Sequence, residues 1–254
     1  MMNGIFDTHA HYDDARFEAE LESALNYNKE NGVVGIINCA VDYASAEKLQ
    51  GIADEYDFCF AAVGIHPENI PSEKPDVSPL YSLLQHKKTV AVGEIGLDYH
   101  WEDCASRDIQ KAWFEAQLKV AIELGKPVII HDRDAHADTI EILKKYQPKG
   151  VLHCFSGSAE MAKEIIDMGM YIGLGGVVTF KNARKAVEVA ESIPLDRLLL
   201  ETDAPYMAPE PFRGKTNQSA YIKYTAEKIA ALRGIDAQEL IDICRENTRR
   251  LFGI

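Results

Sequence analysis

Five of the eight histidines, His9, His11, His66, His131 and His153, stand at the ends of short apolar runs. Acidic residues recur in the same setting: Glu94 follows TVAVG, and Glu201 and Asp203 follow RLLL. Imidazole nitrogens and carboxylate oxygens are donors for divalent cations; the imidazoles favour zinc, manganese, cobalt, nickel or iron, and the carboxylates also suit magnesium. His9 and His11 are two apart, so on an extended segment both side chains lie on one face and can grip one ion. A lone histidine of this kind is more often a satisfied core residue. Four histidines and two carboxylates at equivalent positions are a different matter, because an unpaired buried polar cluster is costly.

Six such ligands exceed the four that a tetrahedral zinc accepts, whereas two ions sharing a carboxylate would use them all. Sites of that type ionise a water and clamp the oxygens of a substrate undergoing displacement, so the reaction class they point to is hydrolysis. The remaining histidines, His86, His100 and His136, fall near helix ends or in a loop, where exposed or capping roles explain them.

The elements that must position these residues alternate regularly. Short β-branched runs occur at 4–7, 33–38, 59–64, 89–93, 127–131, 150–154, 170–174 and 197–201. Between them, 17–28, 43–56, 77–87, 106–124, 134–146, 159–168, 181–192 and 219–233 carry apolar residues at helical spacing, and 236–252 adds a final helix. Eight β/α units in 254 residues predict a (β/α)8 TIM barrel of the α/β class, one domain over 1–254 with a C-terminal extra helix. An open doubly wound sheet is the runner-up, but no G-x-G-x-x-G follows the first strand. In a barrel the chemistry projects from strand C-termini, which is where the histidines and acids lie.

Individually weaker features fit recognition of an anion. Arg133 follows His131 closely, and Ser156, Gly157 and Ser158 open the helix after His153, where free N–H groups favour anions. Gly173, Gly175 and Gly176 leave backbone accessible, Lys181 follows them, and Arg213, Lys215 and Asn217 lie in a long loop at 204–221. The glycines have tight turns as an alternative reading, and the cationic side chains a solvated face.

Composition bounds the partners. Lys plus Arg total 27 against 40 Asp plus Glu, a net charge of -13, which excludes a broad basic face for wrapping duplex nucleic acid. The five cysteines are scattered without a C-x-x-C pair, so neither a disulfide framework nor a zinc ribbon is expected, and a reducing cytoplasm fits best. No secretory leader or membrane-spanning apolar run is visible, so a cytoplasmic protein with no membrane association is expected. No obligate protein partner is implied.

The ordered segments FDTHAHYDD (6–14), GIHPE (64–68), GEIGLDYH (93–100), HDRDAHADT (131–139), HCFSGS (153–158), GLGGVVTFKNA (173–183) and ETDAPYMAPEPFRGKTN (201–217) span nearly the whole chain. In these the sequence resembles the TatD-type metal-dependent deoxyribonucleases, a branch of the amidohydrolase-like barrels. The resemblance implies two divalent cations (Mg, Mn, Zn, Co or Ni), one held by His9, His11 and Asp203, the other by His131 and His153, with Glu94 bridging. The wider superfamily often bridges with a modified lysine, but here Lys87 and Lys88 lie at the wrong end of strand 4. Asp203 is expected both to hold a cation and to accept the proton of the attacking water, and His66, Arg133 and Arg213 to steady the phosphate. Glu201 is a further candidate, for the cluster or for a third ion. The implied substrate is nucleic acid, at DNA ends or in single strands, cleaved in a 3'-5' exonuclease-like manner. The alternative is an ester or amide hydrolase with the same centre, for example one deacylating an aminoacyl-nucleic acid, and a catalytically silent metal-binding scaffold is a distant third.

Overall fold

A computed structural model of the chain describes residues 2–254. The β-branched runs form eight parallel strands, each hydrogen-bonded to the next in chain order: β1 (Ile5–Ala10), β2 (Val33–Cys39), β3 (Cys59–Val63), β4 (Thr89–Asp98), β5 (Val128–Arg133), β6 (Gly150–Leu152), β7 (Tyr171–Leu174) and β8 (Leu198–Leu200). Between and after them run α1 (Leu21–Glu30), α2 (Tyr43–Glu55), α3 (Ser78–Leu83), α4 (Arg107–Glu123), α5 (His136–Tyr146), α6 (Ala159–Asp167), α7 (Arg184–Ser192), α8 (Ile222–Arg233) and α9 (Ala237–Phe252). The ring closes where the chain just past β8 pairs with β1. The Asp203 N–H donates to the His9 carbonyl (2.9 Å) and the His11 N–H to the Ala204 carbonyl (2.7 Å). This is the expected TIM barrel with its extra C-terminal helix.

Period-two alternation divides the strand residues into two cores. Val128, Ile130, Leu152, Ile172, Leu174, Leu198 and Leu200 pack outward with the helices. Phe6, Ile37, Ala62, Ala91, Ile129, Val151, Tyr171 and Leu199, one from each strand, form a separate cluster that fills the barrel, with Phe252 from the end of α9 packed into it. The filled interior has a consequence for the site. Two residues further along an inward-facing position comes the next inward one, and from Ile129, Val151 and Leu199 that step reaches His131, His153 and Glu201, with Asp203 one step beyond.

Two strands depart from regular register where this layer is built. β1 shifts against β2 between Asp7 and Ala10, and β4 shifts against β5 between Val92 and Ile95, so His9 and Glu94 both sit at irregularities that re-aim a side chain. Strand 4 also runs five residues beyond the expected 89–93, because pairing resumes as Ile95 to Asp98 opposite Ile130 to Arg133. Gly96 makes this approach feasible: with φ +147° its backbone suits glycine, and a Cβ there would lie 2.0 Å from the His131 carbonyl oxygen. Elsewhere the expected bounds change modestly. β6 and β8 stop at Leu152 and Leu200, leaving His153 and Glu201 just past the strands, and α7 starts at Arg184 after a 3-10 turn at Gly176–Thr179.

Candidate metal centre

Glu94 is the hub. Its Oε1 lies 2.6 Å from His153 Nε2, 2.9 Å from His131 Nδ1 and 3.6 Å from His66 Nε2. Its Oε2 lies 3.2 Å from His9 Nε2 and 3.6 Å from His11 Nε2. Asp203 completes the second group, with Oδ1 3.5 Å from His11 Nε2 and 3.8 Å from His9 Nε2. One carboxylate therefore turns one oxygen to each of two histidine groups.

The donor chemistry tests whether cations fit. His9 Nε2 and His11 Nε2 approach to 3.1 Å, and His131 Nδ1 and His153 Nε2 to 3.4 Å. Two imidazole nitrogens at such range, aimed at the same carboxylate, need a proton or a cation among them. Among the described residues, His9, His11 and Asp203 form one set whose donor atoms lie within 4.8 Å of one another, and Glu94 joins His9 with His153 and His66 with His131 in two others. The residues fit divalent cations.

The far side of each ring decides which nitrogen faces inward. His11 Nδ1–H donates to the Cys39 carbonyl (2.8 Å), His9 Nδ1 faces Cys39 Sγ (3.4 Å), and His131 Nε2 lies 2.9 Å from Asp98 Oδ2. Asp98, fully buried, is itself held: its Oδ1 accepts the His100 N–H (2.9 Å), and Gln110 bonds its backbone N–H and carbonyl (2.8 and 2.7 Å). A carboxylate behind a ligating histidine fixes the tautomer and the ring orientation. His153 Nδ1 has no hydrogen-bond partner, its nearest acid being Glu201 Oε1 at 3.9 Å.

Electrostatics follow from burial and this geometry. Burial and the neighbouring His153 charge push His9 down to about 4, and burial with the nearby His131 charge takes His66 to about 3. Burial also opposes charge on His11 and His131, but hydrogen bonding to Asp203 raises His11 to about 9, and Asp98 and Glu94 raise His131 to about 10. Glu94 and Asp203 are held below the ordinary carboxylate range, since the surrounding imidazoles outweigh the cost of burial. Asp203 takes this position with φ +59°, a left-handed backbone uncommon outside glycine.

Glu201 stands apart from these three sets. One oxygen accepts the Cys154 N–H, the other has no partner, and burial pushes the group up to about 8. Gly173 makes room for it, since a Cβ there would lie 2.4 Å from its Oε2.

The centre opens into a cavity of about 1070 Å³ that His66, Arg133, Ser156, Asp203, Arg184 and Lys185 help to line. Of the three expected phosphate contacts, His66 faces Glu94 and Arg133 reaches the cavity. Arg213 does neither: it is exposed, with its guanidinium 4.3 Å from the centre of the Phe180 ring. Ser158 caps α6 by accepting the Met161 N–H (3.3 Å). Sequence reasoning passed over Asp98, whose signal lay in GEIGLDYH four residues beyond the hub, and over Arg184 and Lys185 at the start of α7. No helix among the described residues is long and apolar enough to cross a membrane.

Comparisons with known proteins identify the family. The family model of TatD related DNase matches residues 6–253. A metal-dependent hydrolase of Bacillus subtilis, described as uncharacterized, is 44% identical over 254 residues, covering 98% of this chain and 99% of that protein. A Klebsiella pneumoniae protein named 3'-5' ssDNA/RNA exonuclease TatD is 34% identical, covering 98% of each chain. The crystal structure of a TatD homologue from Escherichia coli superposes with a TM-score of 0.90 at 33% identity, covering all of both chains. With two histidine groups on one carboxylate at the mouth of the barrel, this chain belongs to the TatD family of metal-dependent hydrolases.

Proposed function

We propose that the chain is a two-cation phosphodiesterase that shortens single-stranded nucleic acid from its ends, in the 3'-5' direction that the Klebsiella relative's name gives for that protein. The observation that carries this reading is Glu94, which offers Oε1 to His131 and His153 and Oε2 to His9 and His11. His9, His11 and Asp203 on one side of Glu94 and His131 and His153 on the other would hold the divalent cations, which would supply Lewis acidity, lower the pKa of a water and offset charge on phosphate oxygens.

The chain's own residues do the rest. Asp203 is ionised at neutral pH, keeps part of its side chain open to the cavity, and can take the proton of the attacking water. Its position is fixed by its N–H bond to the His9 carbonyl and by the Tyr206 N–H bond to its own carbonyl (2.7 Å). Arg133 brings a permanent positive charge to the cavity wall, where it meets a phosphate. His66, largely uncharged at neutral pH, acts as a hydrogen-bonding group and brings no cation. The negative surface as a whole suits a substrate that enters by an end, because the attraction is confined to the mouth.

The test is a substrate panel. Chain loaded in turn with magnesium, manganese, zinc, cobalt or nickel is offered labelled single-stranded and duplex oligonucleotides, an aminoacyl ester and a cyclic amide. Stepwise shortening of the single strand, lost in Glu94→Gln, is expected. Turnover of the ester or amide with no oligonucleotide cleavage under any ion would overturn the reading.

A further inference from the structure

The strongest feature that the cation site does not use is a pair of aromatic side chains at its mouth. Of the eight large apolar side chains that stay exposed among the described residues, Trp101, Tyr206 and Met207 line the cavity into which the centre opens. Trp101 and Tyr206 are each 46% exposed. Neither contributes to the barrel's cores, and an exposed aromatic beside a cavity full of charge has no packing use.

Each ring is nevertheless held in place. Tyr206 lies three residues after Asp203; its hydroxyl donates to Asp14 Oδ2 (3.0 Å) and the Arg16 guanidinium sits 4.1 Å from its ring centre. Its ring centre is 6.5 Å from that of His11, on the His9, His11 and Asp203 side of the hub. Trp101 lies three residues after Asp98, with the His100 ring edge-on at 4.6 Å and the Arg133 guanidinium 5.1 Å from the indole. Arg133 ends β5, the strand of His131, so Trp101 flanks the other histidine group.

We infer that Tyr206 and Trp101 are stacking platforms for the bases on either side of the phosphodiester being cut. This inference rests on the nucleic-acid reading of the site. Stacking suits an enzyme that must accept every base, because each base has a π face whatever its hydrogen-bonding edge. The cation beside each ring adds to that function. Arg16, itself paired with Asp14, and Arg133 pin the rings in place, and Arg133 on the cavity wall puts positive charge next to the backbone of a strand whose bases lie on the aromatic faces. The two platforms make the site specific for unpaired nucleotides, since bases held in a duplex cannot reach them.

The experiment compares a single-stranded oligonucleotide with one of the same length carrying abasic residues at its cleaved end. For manganese-loaded wild-type chain, kcat/KM is expected to favour the normal strand by about 10- to 100-fold. Trp101→Ala and Tyr206→Ala each reduce that preference severalfold or more, mainly through KM, while Trp101→Phe and Tyr206→Phe, which keep a ring, retain most of it. Metal content is measured for each variant, so that a damaged centre is recognised separately. Wild-type cleavage with no preference between the two strands overturns the inference, as does a preference that survives both alanine substitutions. If wild-type chain cleaves neither strand, the nucleic-acid reading itself fails and takes the inference with it.

Discussion

Asp98 acts on the candidate centre through His131. Its carboxylate takes the Nε2 side of His131 and leaves Nδ1 for Glu94. Asp98→Asn preserves shape but can present an N–H where an acceptor is required, favouring the wrong tautomer. We expect cation affinity by calorimetry to fall about 10- to 100-fold with the fold intact; unchanged affinity would refute the role. Protons report on the same geometry. His11 and His131 titrate near 9 and 10, so the cation-free chain holds a proton on each at neutral pH, and an entering cation must displace them. Cation uptake in weak buffer should therefore acidify the solution, and affinity should rise with pH until those values are passed. Uptake without proton release would show that the two rings are already neutral. The candidate ligands were legible in the sequence because strand parity exposes them: His131 and His153 each fall two residues after an inward apolar residue. Asp98 was not, because an acid beyond an expected strand end reads as loop until pairing with β5 extends the strand.

At the level of elements, the barrel's closure and its site share one seam. Asp7 on β1 is fully buried and accepts from the Thr202 N–H (3.0 Å), the Thr202 hydroxyl (2.6 Å) and the Ser219 hydroxyl (2.7 Å). It thereby ties β1 to the segment that carries Asp203 and to the turn that leads into α8. With the His9 N–H, which also bonds Asp7 Oδ1 (3.2 Å), Asp7→Ala would take the acceptor from four buried donors, a loss of about 3 kcal/mol or more. In a chain of this size the melting midpoint should drop by about 6–12 °C, read by circular dichroism. A midpoint within 2 °C of wild type would mean that the seam is held elsewhere. The eight β/α units were readable from periodicity, whereas the register shifts at His9 and Glu94 were not, since they arise only when neighbouring strands pair. Arg213 illustrates the opposite limit: its loop looked suited to substrate, yet packing against Phe180 decides where its side chain lies.

For the whole molecule, the net charge of -13 restricts how nucleic acid can bind. Arg133, Arg184 and Lys185 are the basic side chains lining the cavity, so few phosphates are neutralised by the chain itself. The salt dependence of single-strand binding should be shallow, with a log–log slope of about -2 for three contacts. A slope of about -6 or steeper, measured by fluorescence anisotropy, would reveal a basic track outside the cavity and contradict this. On the proposed nucleic-acid reading, attraction for a polyanion is concentrated at the two histidine groups flanking Glu94. Anomalous diffraction from crystals of the manganese- or zinc-loaded chain measures that directly. Two peaks on opposite sides of the Glu94 carboxylate are expected, one bounded by His9, His11 and Asp203 and the other by His131 and His153. A single peak, or metal bound away from Glu94, would contradict the account.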